Sequence, residues 1–215
     1  MLWTWIYARY FQWKERKWVK SHCYTNSLFA QIDTTLAQLP SPYKRKEAFP
    51  YGEIPLSSLN KLLQVSPVSA SDHVLDLGCG RGRALFFLSI FQECRSYGID
   101  KVASFINEAN FITKKYQLAS SYFWEQDFLA DSRWIEQFPY SWIYVDATLL
   151  SLEQLQQLEK MLLSLPQKAT LHTVHHCFSC LPLKKRITLS FPWADSPVFI
   201  QEIPGNQGKK QNNLS

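Results

Sequence analysis

The chain has 215 residues, 46% hydrophobic and 19% charged, which suits one globular domain, or one domain with an appendage, and excludes a chain too polar to bury a core. Its formal net charge of +5 is unevenly placed: residues 1–50 hold eight Lys or Arg against three Asp or Glu, and the remainder holds fifteen of each. The basic character therefore belongs to the N-terminal segment. Cys23, Cys79, Cys94, Cys177 and Cys180 are odd in number and irregular in spacing, which argues against a disulfide framework and for a reducing, cytoplasmic compartment. No segment approaches the roughly 18 apolar residues of a membrane span. The opening MLWTWIYA is too short for one and lacks the small-residue cleavage site of a signal peptide.

Residues 1–20 carry Trp3, Ile6, Tyr7, Tyr10 and Phe11 at helical spacing, which predicts a helix. Trp5, Trp13 and Trp18 lie off that stripe among Arg9, Lys14, Arg16, Lys17 and Lys20. A helix packed against the body is the first expectation. Trp among Lys and Arg also suits peripheral contact with an anionic membrane or an acidic partner. Residues 38–55 are rich in proline and basic, with Lys44, Arg45 and Lys46 in one run, and read as a linker. The predicted organisation is an N-terminal helical extension over 1–50, a main domain over 51–203 and a polar tail over 204–215.

Leu56, Leu59, Leu62 and Leu63 share one face of a short helix that stops before Pro67. From there strands and helices alternate. Strands are expected at 73–78, 94–100, 121–127, 142–147 and 170–178. Helices are expected at 83–93, 102–118, 132–138 and 152–165. Two further strands, 186–193 and 196–203, flank a turn containing Ala194 and Asp195. This alternation predicts an α/β fold: a seven-stranded, mostly parallel, doubly wound sheet closed at one edge by an antiparallel hairpin.

The stretch VLDLGCGRGRALFFL carries the chemistry. An apolar strand ends in Asp76, and Gly78, Gly80 and Gly82 follow at alternate positions before a new apolar pattern begins. A glycine-rich strand-to-helix turn brings a ligand against backbone N–H groups. The spacing is G-x-G-x-G; position 83 is Arg, so the third glycine of the dinucleotide fingerprint is missing, and no G-K-[ST] follows to make a P-loop. Acids recur at the ends of the next strands. Asp100 lies twenty-two residues after Gly78, an offset suited to gripping ribose hydroxyls. Asp127 is placed to accept from an exocyclic adenine amine, with Phe128 flanking the ring, and Asp146 ends the fourth strand. Four such acids point into one crevice at the carboxyl edge of the sheet.

This constellation, over residues 50–203, resembles the class I S-adenosylmethionine-dependent methyltransferases. The resemblance implies that Gly78, Gly80 and Gly82 approach the methionine half of the cofactor and that Asp76 helps hold its ammonium group. Asp100 would bind the ribose, Asp127 the adenine amine and Phe128 the adenine face. The order of motifs is also similar to the non-SET histone lysine methyltransferases of the disruptor-of-telomeric-silencing type. Here Tyr51-Gly52-Glu53 matches the family's Y-G-E loop, which folds over the cofactor and brings Glu53 into the cofactor site. DLGCGRG, YGID, QDFL and SWIYVD follow in the family's order. Small bacterial methyltransferases of unknown substrate share YGE-x-PL and DLGCGRGR. The chain departs from the histone enzymes at Ile54, where they have Thr, at Arg83, where they have Gln, and at Asp146-Ala147-Thr148, where they have Asn-Asn-Phe.

The resemblance implies methyl transfer to a nitrogen acceptor, a protein lysine first, with a small molecule, a nucleic acid or an inactive cofactor-binding partner protein as alternatives. Asp146 is the candidate to bind or deprotonate the acceptor, Thr148 adds a hydroxyl, and Tyr51 is a candidate lid over the methyl donor. Trp142 and Tyr144 are expected in the sheet core. His172, His175, His176, Cys177 and Cys180 cluster in sequence, but a strand through them would alternate their faces, so no metal site is expected.

Overall fold

The computed structural model describes residues 2–39 and 52–206. Seven strands form one sheet: β1 His73–Leu77, β2 Arg95–Asp100, β3 Ser121–Glu125, β4 Trp142–Asp146, β5 Ala169–Val174, β6 Leu183–Ser190 and β7 Asp195–Ile203. Their spatial order is β3-β2-β1-β4-β5-β7-β6. The pairs among β1 to β5 are parallel, and β7 is antiparallel to both β5 and β6. The seven-stranded, mostly parallel sheet with an edge hairpin is therefore as expected. β1 lies between β2 and β4, so the chain reverses its winding there and opens a crevice at the carboxyl ends of those strands.

The helices are α1 Leu2–His22, α2 Ser27–Gln38, α3 Leu56–Val65, α4 Arg83–Phe91, α5 Ala103–Tyr116, α6 Trp134–Gln137 and α7 Leu152–Leu163. Strand alternation divides the core into two layers. Val74, Trp142 and Tyr144 face a cluster built with α2, α3 and α4, whereas Leu75, Leu77, Ile143 and Val145 face one built with α6 and α7.

The N-terminal helices pack against the body. Asn26 caps α2 by accepting from the N–H of Phe29 at 3.1 Å, and Phe29, Ile32 and Leu36 are buried in the first layer with Phe87 and Ile112. α1 joins through Val19 and through Glu15, whose carboxylate accepts from the N–H of Leu56 at 2.7 Å and from the Ser57 hydroxyl. An acid of α1 thus satisfies the open N-terminus of α3, whose own N-cap position is Pro55. Most of the expected linker, including Lys44, Arg45 and Lys46, lies outside the described residues, as do Tyr51 and most of the polar tail.

Several strands end before the apolar pattern predicts: β1 and β4 by one residue, β6 by three, and two bear on the site. β3 stops at Glu125, so Asp127 sits in the following loop. β5 stops at Val174, because His175 adopts a φ of +65° and turns the chain out of the ladder. The His and Cys residues therefore do not share one strand. His172 is buried between the Ile143 carbonyl and the Ser66 hydroxyl, and that burial pushes its pKa down to about 3. His176 packs on Phe178, and the Cys180 thiol meets Glu159. Among the described residues no group of three or more His, Cys, Asp or Glu is arranged to hold a metal, and no helix is long and apolar enough to cross a membrane.

Candidate active site

The glycine turn folds tightly over the end of β2. The N–H groups of Gly78 and Cys79 both donate to the Ile99 carbonyl, at 2.8 and 3.0 Å. Gly78, Gly80 and Gly82 have φ of +89°, +54° and +76°, the region that side chains disfavour. Their local roles differ. A Cβ built on Gly78 meets nothing within 4 Å, so it would project into open space at the turn. One built on Gly82 would lie 2.4 Å from the Phe123 ring, and Gly82 does not line the crevice; it starts α4 against β3.

Asp100 locks this turn. One carboxylate oxygen accepts from the N–H of Gly80 at 2.9 Å, and the other from the N–H of Val102 at 2.8 Å. Burial raises its pKa despite those bonds. Asp76 lies deeper. Burial foremost, then the nearby charges of Asp100, Asp146 and Glu53, push its pKa up to about 8. Directly opposite Asp76 on β4 stands Tyr144, whose hydroxyl is buried with no hydrogen-bond partner among the described residues and is held protonated by burial and by Asp146 and Asp76.

Asp146 ends β4. Its carboxylate accepts from the backbone N–H of Thr148 at 3.0 Å and from the Thr148 hydroxyl. It does not cap the next helix: Ser151 does, in a reciprocal capping box with Gln154. Asp127 accepts from the N–H groups of Leu129 and Ala130, which fixes the loop that presents Phe128.

These residues meet in one cleft of about 580 Å³. Glu53, Asp76, Gly78, Gly80, Asp100, Asp127, Phe128 and Asp146 line it, with Tyr144 and Thr148 beside them. Of the site candidates, Gly82 lies behind the wall and Tyr51 lies outside the described residues. Pattern reading missed several walls. Ile54, Val102, Phe105 and Leu149 are apolar residues adjoining motif positions, and Trp193 arrives from the β6–β7 hairpin. Trp193 comes so near Gly52 that a Cβ there would sit 3.0 Å from the indole. Nothing local in the sequence signals that long-range approach. Arg83, where the histone enzymes have Gln, is not among the cleft's lining residues and pairs with Asp33 of α2 at 2.6 Å. Arg81 instead bridges outward: it donates to the Leu36 carbonyl at 3.0 Å and lies 3.8 Å from Glu53.

The cleft fits S-adenosylmethionine on two observations. Its floor at Gly78 is open where a side chain would stand, and its buried carboxylates favour a cation, as the donor's sulfonium and ammonium are. A sheet of this order with such a turn at its switch point defines the class I methyltransferase fold. Solved structures agree on the fold. An RNA methyltransferase from Salinibacter ruber, in complex with S-adenosyl-L-homocysteine, superposes with a TM-score of 0.59 at 17% identity, over 74% of this chain and 97% of that one. Magnesium protoporphyrin IX methyltransferase from Synechocystis, with bound S-adenosylmethionine, gives 0.53 at 16%, over 68% and 77%. Geranyl diphosphate C-methyltransferase from Streptomyces coelicolor gives 0.53 at 10%, over 69% and 81%. No curated protein matches the chain. A family profile described as a methyltransferase domain matches residues 69–181, and the chain belongs to that family. It is an S-adenosylmethionine-dependent methyltransferase of class I.

Proposed function

We propose that the chain transfers the methyl group of S-adenosylmethionine to a nitrogen acceptor presented at Asp146. The observation that carries this reading is the partly exposed carboxylate of Asp146, at the end of β4 and across the cleft from the glycine turn, in a cleft already rich in carboxylates. The donor supplies an activated methyl carbon and leaves as a neutral thioether. The chain supplies alignment. Gly78 and Gly80 admit the methionine half, Asp76 and Glu53 face its ammonium, Asp100 faces the ribose, and Asp127 with Phe128 faces the adenine. Asp146 accepts a hydrogen bond from the acceptor nitrogen and takes its proton directly or through water. Thr148 holds one Asp146 oxygen, leaving the other to the acceptor.

The neighbours reported above are named for RNA, porphyrin and terpene substrates, and none of them lends support to the lysine acceptor implied by the sequence resemblance. Their low identity restricts that observation to breadth of chemistry on one fold. A nucleic-acid acceptor is the second reading, favoured by the exposed basic and aromatic face of α1. Incubation with methyl-labelled donor and whole-cell lysate, followed by separation into protein, RNA and small-molecule fractions, tests the reading. Label in a nitrogen-linked product supports it. Label found only on oxygen or carbon, or no transfer by a protein that binds the donor, overturns it.

A further inference from the structure

The outward face of α1 is basic and aromatic. Tyr7, Phe11, Glu15, Trp18 and Val19 turn toward the body at helical spacing, and Arg9, Tyr10, Trp13, Lys14, Arg16, Lys17 and Lys20 turn to solvent. Tyr10 is 53% exposed and Trp13 51%, unusual for rings of that size. Their rings lie 6.1 Å apart and within 23° of parallel. The Lys14 ammonium sits 4.7 Å over the Tyr10 ring and the Lys17 ammonium 4.0 Å over the Trp13 ring. The sole acid of α1, Glu15, is turned inward onto the N-terminus of α3. The outward face thus carries cations, Lys14 and Lys17 foremost, and two aromatic planes. A groove of mixed charge, lined by Arg16, Lys20, Arg81 and Arg83 with Glu15 and Asp33, adjoins this face and shares Glu53 with the cleft.

We infer that this face binds a single-stranded nucleic acid and delivers it to the methyl-transfer cleft; delivery rests on the reading of the cleft above, whereas binding does not. Phosphates meet the lysines and arginines, and unpaired bases stack on Tyr10 and Trp13. A membrane is the poorer occupant: Tyr10 and Trp13 stand among lysines as two near-parallel stacking planes rather than as a continuous apolar face to insert. An acidic peptide would use the cations but leave two near-parallel rings without purpose. A duplex offers the rings no unpaired base.

Fluorescence anisotropy with a labelled 12-nucleotide RNA of mixed sequence, a length within the roughly 4–16 nucleotides of known stacking platforms, tests this on the full chain. Binding is expected to weaken at least about tenfold in the Lys14→Glu, Lys17→Glu double variant. The slope of log K against log salt should become shallower by about 1.4, two lost phosphate contacts at roughly 0.7 each. Trp13→Ala should weaken binding roughly 5- to 140-fold, one base stack, with the slope unchanged. The idea is overturned if neither variant changes RNA affinity, if the matching duplex binds as well, or if anionic phosphatidylglycerol vesicles or polyglutamate are held more tightly than RNA. Titration of the same preparations with S-adenosylhomocysteine separates the two readings. Loss of that binding in the wild type defeats the cleft assignment, whereas intact product binding without RNA binding defeats this inference alone.

Discussion

Asp146 and Asp76 face the same cleft but are set up for different work. Asp146 is partly exposed and held by Thr148, and under the proposed function a substitution there is expected to act on the acceptor. Asp146→Ala is expected to lower turnover by roughly 10²–10⁴-fold, the scale of a removed general base, while product affinity changes little. Asp146→Asn separates the roles: near-full activity in single-turnover assays would mean that the group positions the acceptor rather than deprotonating it. Asp76 is buried, with its pKa near 8. A raised carboxyl pKa stabilises the free protein below the unfolded value and loses that contribution as pH rises through about 8. Binding a cation reverses the preference and favours the ionised form. Donor affinity should therefore rise with pH up to about 8, with net proton release below that value. Calorimetry in buffers of different ionisation enthalpy measures the released proton, and proton uptake or pH-independent affinity would contradict the assignment.

Among the elements, the glycine turn combines two requirements that substitutions separate. Gly80 lines the cleft at φ +54°, so Gly80→Val should abolish product binding while the chain still folds. Gly82→Ala collides with Phe123 behind the wall and should lower stability by about 1–3 kcal/mol while product still binds. Thermal melts with and without ligand distinguish the two. Glu15→Ala should cost about 0.5–2 kcal/mol by uncapping α3. Deleting residues 1–22 should destabilise the whole domain, since Val19 and the Glu15 cap belong to its core. The strands and helices from Leu56 onward were legible because each carries a simple apolar period. α2 was missed: Phe29, Ile32 and Leu36 are interspersed with Thr34 and Thr35, and its apolar face gains meaning only against α4 and α5. Asp127 was legible as a site residue but not as a loop residue, because β3 ends where Asp100 hands its carbonyl to Gln126.

At the scale of the molecule, strand–helix alternation was enough to anticipate the sheet, since parallel strands demand crossovers and the right-handed rule leaves few orders. Half of the cleft was equally open to reading, because its acids come from consecutive strand ends. The other half was not. Trp193 reaches Gly52 from a hairpin some 140 residues later, and the docking of α1 depends on one carboxylate finding a helix terminus. The central claim is that the cleft between β1 and β4 binds the methyl donor. Isothermal titration of S-adenosylhomocysteine into the wild type and into Gly80→Val tests it most directly. One site per chain is expected in the wild type and none in the variant. No binding by the wild type, or equal affinity in both, would contradict it.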